Sequence, residues 1–563
     1  MFVPIIYQDE DLLVVNKPIG LTTHPTESED PATADVVSAV KRQLGLVYVG
    51  LHHRLDREVS GVLAFAARKE ANANMAKVFE GRSVQKEYLA IVAGRLPRSE
   101  GEINAALTEV SSGRYAVAKL PDRQAQAART RYKVEQTTAD GKFSLVRLWL
   151  DTGRTHQLRV HLAFMGAPIV GDAIYGSAQK FPRLLLHAAL LRFAHPGTGH
   201  TATFEAAPPP LFKRLQAGEA LPEIELAQRL LTHERGLALL NGADEVGLGH
   251  LLDLATLRRT AFLADPTQQT TGYCLINGSG DGLPGLLVDC FGQTLVIDPQ
   301  LRTTQPAFGL VQELLARKFP GFKLHLKEDF NRGPEANSTQ DYRRSGPQTQ
   351  ANPPPTKVLE PSLRLRENGL DFETPPELFG LDLREMRERV RAWSKGQTVL
   401  NCFGPLADIG VVAMKGGATR VVNLDASLPN LGYINYRLNG FEPDPLDFVQ
   451  NDVPKGLGEL ARQQQKFDLV ILNQPTQDEA YQVPNYPRLA RLAGQIIAPG
   501  GRLIAISSDD QLERRKFRDQ LVKGLQEAGR KAIVAGVYHE PELDFPRFGE
   551  AEGYLKVLVI KLD

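Results

Sequence analysis

The stretch His53-Arg54-Leu55-Asp56-Arg57-Glu58-Val59-Ser60-Gly61 runs into the apolar segment Val62-Leu63-Ala64-Phe65-Ala66. A short, unbroken apolar run of this kind predicts a buried strand. Ser60-Gly61 reads as a small turn in front of it. Asp56 then sits on a loop that feeds the core, with Arg54 and Arg57 in reach. Nearby positive charge favours the ionised carboxylate, and a positioned carboxylate can act as nucleophile or base. The same residues also suit an ordinary surface ion pair, which contributes little. The stretch alone leaves both readings open.

Upstream, Ile5-Ile6-Tyr7 and Leu12-Leu13-Val14-Val15 flank the polar turn Gln8-Asp9-Glu10-Asp11 and read as a hairpin. Asn16-Lys17-Pro18-Ile19-Gly20 ends its second strand, since Pro and Gly break ladders. Lys17 suits a phosphate or structural contact. Ala34 to Leu44 has helical spacing with Thr33 as cap, and Glu70 to Glu80 is helical too. Lys86-Glu87-Tyr88-Leu89-Ala90-Ile91-Val92-Ala93-Gly94 is apolar on both faces, as a central strand is. Residues 103–135 read as strands around a polar excursion from Ser111 to Arg129. In Asp151-Thr152-Gly153-Arg154-Thr155-His156-Gln157-Leu158-Arg159-Val160-His161-Leu162, arginines and histidines follow a glycine turn. A polar helix with a Leu/Val stripe explains that spacing equally well.

Taken together, these stretches resemble the RluA-type pseudouridine synthases. The first is similar to the family's H-R-L-D-x-x-T-S-G, with Val59 standing where the family has Thr. Lys86-Glu87-Tyr88-Leu89-Ala90 resembles its K-x-Y-x-A. Residues 152–162 resemble T-G-R-T-H-Q-I-R-V-H-L, and Gly166 to Gly176 resemble G-x-P-I-x-G-D-x-x-Y-G. Asn16-Lys17-Pro18 with His24-Pro25, and the closing strands around His187 and His195, fit as well. The resemblance implies Asp56 as the catalytic carboxylate, Tyr88 stacked on the target base, and Arg154 paired with Asp56. It implies RNA contacts from Arg54, Arg57, His53, Lys86, His156 and Arg159. Arg54 would fill the space of a base flipped from its stack. Isomerising uridine to pseudouridine gains nothing from outside, so neither cofactor nor metal is expected. Whether Asp56 attacks the sugar or the base, or takes a sugar proton, stays open.

At 563 residues the chain is too long for one core. Its longest apolar runs fall short of the roughly 18 residues a membrane span needs, and Met1-Phe2-Val3-Pro4 has no signal-peptide layout. Cys274, Cys290 and Cys402 are too few and too scattered for a disulfide framework, so a reducing cytoplasm is expected. Residues 1–215 hold 27 Lys and Arg against 21 Asp and Glu, a balance of +6. The whole chain has 66 of each, which leaves −6 for the remainder. The front third therefore suits a polyanion, while the acidic remainder suits a protein partner as well as an RNA.

Beyond Ala206-Ala207-Pro208-Pro209-Pro210 the pattern changes. Residues 222–262 have helical leucine spacing. Asn277 to Asp289 read as a structural hairpin around a glycine turn. Asn331 to Thr356 are rich in Pro, Asn, Gln and Ser and read as a flexible linker. From Lys357 strands alternate with helices: Thr398 to Phe403, Arg420 to Asp425, Phe467 to Asn473 and Arg502 to Ser507. That predicts a doubly wound parallel sheet, with Asp425 at a ribose-binding strand end. Residues from about 228 to 563 resemble the RlmI-type S-adenosylmethionine-dependent rRNA methyltransferases, on the strand spacing, the Asn277 to Asp289 hairpin, Glu367-Asn368-Gly369-Leu370 and Leu381-Asp382-x-Arg384.

Three functional positions of that family depart here. Its glycine loop corresponds to Pro405-Leu406-Ala407-Asp408-Ile409, where the Asp408 carboxylate would face the cofactor. Its D-P-P becomes Asn473-Gln474-Pro475, and its nucleophilic cysteine falls on Ser508. The resemblance allows S-adenosylmethionine at Asp425, Asp408 and Asn473; the replaced positions argue against it.

The expected architecture is a multidomain α/β chain. Residues 1–215 form a mixed, largely antiparallel-sheet synthase domain. Residues 222–330 form a small α+β middle domain, 331–356 a linker, and 357–563 a Rossmann-like domain without catalysis. The expected function is pseudouridine synthesis in rRNA or tRNA, with the last domain positioning RNA or docking a partner. A two-headed synthase–methyltransferase and a non-catalytic RNA scaffold are the alternatives. No membrane partner is expected.

Overall fold

The structure, a computed structural model, describes residues 3–24, 35–81, 83–111, 113–119, 122–176, 181, 183–221, 224, 240, 244–263, 269–299, 307–327, 362–427, 429–474, 485–509, 512–541, 544–546 and 554–563. Pro25, Thr33, most of 222–243, the expected linker at 331–356 and Pro475 lie outside them. The chain divides into two compact units, Met1–Thr232 with His250–Thr267, and His233–Gly249 with Gln268–Asp563.

The first unit runs β1 (Ile5–Gln8), β2 (Leu12–Lys17), α1 (Val36–Leu44), β3 (Gly50–Leu51), β4 (Ser60–Ala66), α2 (Lys69–Glu80) and β5 (Gln85–Ala93). It continues β6 (Glu100–Asn104), β7 (Leu107–Ser111), β8 (Arg114–Val117), β9 (Arg129–Thr137), β10 (Phe143–Leu150), α3 (Gln157–Phe164), β11 (Leu186–Ala194), β12 (Thr201–Glu205) and α4 (Pro210–Gln216). The main sheet has the order β1-β2-β4-β11-β5-β10-β9-β6, with β3 beside β4 and β12 beside β11. Its pairings are antiparallel except β4 with β11. β5 lies between β11 and β10, which explains its apolar character on both faces.

Local chemistry sets the ends of these elements. Asp35 caps α1, its side chain accepting the Ser38 amide at 2.8 Å. The polar excursion after Ser111 carries β8, which turns back on β7 as a separate two-stranded ribbon. Leu12, Val14, Val62, Ala64, Met75, Leu191 and Phe193 form one buried cluster that joins α2 to the sheet.

Ser60-Gly61 is the start of β4 rather than a turn, because these two residues make its junction with β11. Ser60 pairs with His187 and Gly61 with Ala188. Gly61 has φ +121°, and a Cβ there would lie 2.1 Å from the Ala188 carbonyl oxygen. Only glycine allows that approach. Beside it, His187 Nε2 donates to the Ala206 carbonyl at 3.1 Å, and Nδ1 faces the Ser60 hydroxyl at 2.9 Å. Burial pulls the His187 pKa down to about 4; the Ala206 bond opposes this and Arg183 adds to it.

α5 (Glu245–Arg258) and α6 (Thr260–Leu263) follow. The second unit then holds β13 (Gly272–Asn277), β14 (Leu286–Phe291), β15 (Thr294–Pro299), α7 (Phe308–Lys318) and β16 (Lys323–Leu326), with the strands in sequence order in one sheet. β17 (Leu363–Glu367) and β18 (Leu370–Thr374) form a ribbon. The remainder is α8 (Arg384–Trp393), β19 (Thr398–Cys402), α9 (Asp408–Lys415), β20 (Arg420–Asp425), α10 (Asn430–Leu438), β21 (Phe448–Gln450), α11 (Val453–Arg462), β22 (Phe467–Asn473), α12 (Tyr486–Ile496), β23 (Ile497–Ser507), α13 (Arg514–Glu527), β24 (Ala532–Tyr538) and β25 (Lys556–Leu562).

Their sheet has the order β21-β20-β19-β22-β23-β25-β24, parallel up to β23 and antiparallel beyond. This is the Rossmann-like arrangement expected. Cys274, Phe291 and Val296 share a core with Leu406, Val411 and Tyr436. The strands expected as a separate middle domain therefore pack as part of this unit.

Two outcomes follow from the β4–β11 junction. Gly61→Ala should destabilise the first unit by on the order of 2–3 kcal/mol, since backbone must move to admit the methyl group. Urea unfolding followed by Trp149 fluorescence in a Trp393→Phe background reads that unit; an unchanged midpoint would refute the clash. His187 binds its proton more weakly folded than unfolded, so its contribution is complete above about pH 6.5. It is lost as pH falls through about 4, on the order of 3 kcal/mol in all. The same unfolding assay across that window should show the loss, and His187→Gln should flatten it.

Candidate active site

The loop from Leu51 to Ser60 is held from below before it reaches any ligand. Lys17 is fully buried, and its Nζ donates to the carbonyls of Pro18 at 2.9 Å, Arg57 at 3.1 Å and Val59 at 2.8 Å. Burial lowers its pKa to about 7, against the opposing charges of Glu58 and Asp56. Thr23 Oγ1 donates to the Leu55 carbonyl and accepts the Leu55 amide. Lys17 is thus a clamp on the loop, as one of its two expected uses had it.

Asp56 opens into a cleft of about 470 Å³ lined by His53, Arg54, Lys86, Tyr88, Leu150, Arg154, Thr155, His156, Arg159 and Leu186, among others. α3 is buried along nearly its whole length, Gln157 to Leu162. Polar groups on such a helix need partners. Arg159 Nε and Nη2 form a fork on the two oxygens of Asp172, each at 2.8 Å. Its third nitrogen, Nη1, is buried without a hydrogen bond and points at Asp56 Oδ2, 3.5 Å away. His156 Nε2 lies 3.6 Å from the same oxygen. Burial works against the Arg159 cation, but Asp172 and then Asp56 outweigh it and raise its pKa. Burial likewise works against the Asp172 anion; the Arg159 bonds and charge outweigh it and lower its pKa.

Several expected roles change. Arg154 is not the partner of Asp56: its Nε donates to the Ala127 carbonyl at 3.2 Å, while Arg159 takes that place. The reason is the helix start. Gln157 accepts the Arg154 amide and reaches Thr130 and the Arg129 carbonyl, which ties the turn to β9 and leaves Arg159 to point back at the cleft. His53 is a packing residue, with its ring stacked on Phe79 at 4.5 Å and Nε2 accepting the Ala64 amide. Burial first, then Lys86 and His52, hold it well below the usual histidine range. Arg57 is exposed and outside the cleft lining.

Arg54 reaches Thr155 Oγ1 at 2.8 Å across the cleft mouth. Lys86 lies over the Phe79 ring, and burial lowers its pKa. Among the described residues no carboxylate pairs with it. Tyr88 is 7% exposed. Burial and then the Asp56 charge push its phenol above the ordinary value, so it stays protonated near neutral pH. Asp172 and Tyr175 were not singled out from sequence; both stood in the Gly166 to Gly176 stretch, whose resemblance was noted without roles.

In the second unit the Asp425 carboxylate accepts the Ser427 amide at 2.7 Å and its hydroxyl. Asp408 does not face the loop before it. It turns inward onto Arg387 Nη1 at 3.0 Å, because Arg387 is buried and its other nitrogens are on Glu367. Among the described residues, Gly404, Pro405, Asn423, Asp425, Phe448 and Gln450 line a narrow hollow of about 10 Å³, whereas small-molecule sites run to roughly 300–1,000 Å³. Cys402 is fully buried, and its thiol pKa is raised by burial and Asp425.

Residues 11–164 match the family model for RNA pseudouridylate synthase, and residues 352–560 that for S-adenosylmethionine-dependent methyltransferase. An uncharacterized RNA pseudouridine synthase of Bacillus subtilis is 36% identical over 214 residues, 38% of this chain and 70% of that protein. Ribosomal large subunit pseudouridine synthase D of Zymomonas mobilis is 36% identical over 38% of this chain and 72% of its own length. tRNA pseudouridine synthase C of Vibrio vulnificus is 38% identical over 36% of this chain and 89% of its own. The chain belongs to the RNA pseudouridine synthase family and carries a methyltransferase-like unit behind the synthase. Among the described residues no helix is long and apolar enough to cross a membrane.

Arg159→Met should cost the first unit about 3–5 kcal/mol, because it strands the buried Asp172 carboxylate. Arg154→Ala, which removes one exposed contact, should cost under about 1 kcal/mol. The Trp149 unfolding assay separates the two; similar losses would contradict the pairing.

Proposed function

We propose that Asp56 is the reacting carboxylate of uridine isomerisation, held by Arg159, with Tyr88 packed on the flipped uracil. The observation that carries this reading is the Asp56 carboxylate in the 470 Å³ cleft, braced on one oxygen by Arg159 and facing Tyr88. The reaction breaks the N1–C1′ bond and forms C5–C1′; the C5 proton leaves and N1 gains one. Arg159 offsets charge at Asp56 as the glycosidic bond breaks. Tyr88, kept as a phenol by its surroundings, offers a ring face and a donor rather than a base. Lys86 supplies a positive charge to the backbone of the flipped nucleotide. Arg54 at the mouth supplies the planar group that occupies the vacated stack.

The target is a uridine in ribosomal or transfer RNA, as the names of the relatives support. Three buried free cysteines suit a reducing cytoplasm. The second unit is proposed to act without S-adenosylmethionine, in RNA positioning or partner binding; the narrow hollow of about 10 Å³ beside Asp425, among the described residues, supports this reading.

Asp56→Asn should abolish pseudouridine formation while leaving the unfolding midpoint and RNA affinity near wild type. Mapping pseudouridine in rRNA and tRNA from cells carrying that variant is the check. Retained modification, with deamidation excluded, would end the proposal. Calorimetry of the full chain with S-adenosylmethionine should show no binding up to millimolar ligand. A micromolar isotherm, with methyl transfer to rRNA that survives in Asp56→Asn, would establish the two-headed alternative instead.

A further inference from the structure

The chain enters α3 through His156 in the left-handed region, with φ 56°. Such a conformation costs a non-glycine residue about 1 kcal/mol or more and persists where surroundings enforce it. Here they do. His156 Nδ1 lies 2.7 Å from Tyr175 Oη, and that oxygen accepts the Tyr115 amide at 2.9 Å. With a lone pair of Oη taken by Tyr115, the phenol proton is free to go to Nδ1. An accepting Nδ1 places the ring proton on Nε2. Nε2 is the nitrogen 3.6 Å from Asp56 Oδ2.

Tyr175 is fixed in turn. Its amide donates to Asp172 Oδ1 at 3.0 Å, and the Arg159 guanidinium lies 5.3 Å from its ring centre. Asp172 thus holds two arms. Arg159 leaves it directly, Tyr175 and His156 leave it through the backbone, and both reach toward Oδ2 of Asp56, at 3.5 and 3.6 Å.

We infer that Tyr175 and His156 form a positioning strut for Asp56, in which Tyr175 fixes the imidazole tautomer and turns the His156 Nε2–H toward Oδ2, 3.6 Å away, leaving Oδ1 to face the target ribose. This rests on Asp56 being the reacting carboxylate. The charged and titratable groups facing His156 are Asp56, Glu58, Arg159, Asp172 and Tyr175. Burial lowers its pKa more than Asp56 raises it, so the ring is neutral near neutral pH and has one proton to place.

The test uses the full chain and total RNA, tritiated at uracil C5, from cells lacking the protein. Release of tritium is read under single-turnover conditions. Tyr175→Phe removes the hydroxyl and keeps the ring. It should slow the saturated rate about tenfold, with half-saturation by RNA within twofold of wild type. His156→Gln keeps an N–H donor of similar reach that does not depend on Tyr175. It should retain more activity than His156→Leu, and adding Tyr175→Phe to it should change nothing further. A Tyr175→Phe rate within twofold of wild type, or effects of the two substitutions that multiply, would overturn the strut. Tyr175→Phe decides alone if His156→Gln fails to fold. Tritium release by Asp56→Asn would instead remove the reading beneath it.

Discussion

The first unit is organised around one buried guanidinium. Arg159 lies on a helix with almost no exposed face, so its charge needs an anion inside the fold, and Asp172 supplies one through two short bonds. That pair fixes the end of α3 against the Gly171 to Tyr175 turn, whose amides also bond Asp172. It then leaves one donor over. A buried N–H with no partner is costly, and the nearest acceptor is the Asp56 carboxylate. The same charge thus serves the packing of the helix and the orientation of the Asp56 carboxylate.

Lys17 completes the constraint from the other side. Its three carbonyl bonds determine where the loop backbone sits, and Arg159 determines where the carboxylate points. Neither alone would do so, because the eight-residue loop 52–59 between β3 and β4 has many conformations to lose. The β4–β11 junction supplies the rigid floor, with Gly61 against Ala188 and the Ser60–His187 contact beside it. A carboxylate placed this way holds its geometry without a closing motion.

Much of this was legible beforehand, for physical reasons. β4 and β5 are apolar on both faces, so their burial shows in composition. The alternation of strands and helices after Lys357 announces a parallel sheet, and Asp56, singled out by the ordered motif around it, lies in the cleft. What stayed hidden depends on direction. In Arg154-Thr155-His156-Gln157-Leu158-Arg159 two arginines five positions apart are equal on paper. Which one enters the core is decided by Gln157, whose bonds to β9 start the helix there, and by an aspartate thirteen residues further on. Asp408 was misread for the same reason: spacing puts it beside the cofactor loop, but a buried Arg387 turns it inward.

The two units use the same kind of group to opposite ends. In the second, every nitrogen of Arg387 is engaged, by Glu367, Asp408 and the Gly380 carbonyl. Its charge is consumed in fixing β17, α8 and α9 to one another, and nothing of it is left to meet a ligand. Asp425, at the strand end where a ribose would bind, turns one oxygen, Oδ1, to the Ser427 amide and hydroxyl. In the first unit Arg159 is engaged on two nitrogens and offers the third to a cleft. The first unit thus leaves a charged donor short of partners beside a carboxylate in a cleft, whereas the second spends its buried Arg387 on its own fold.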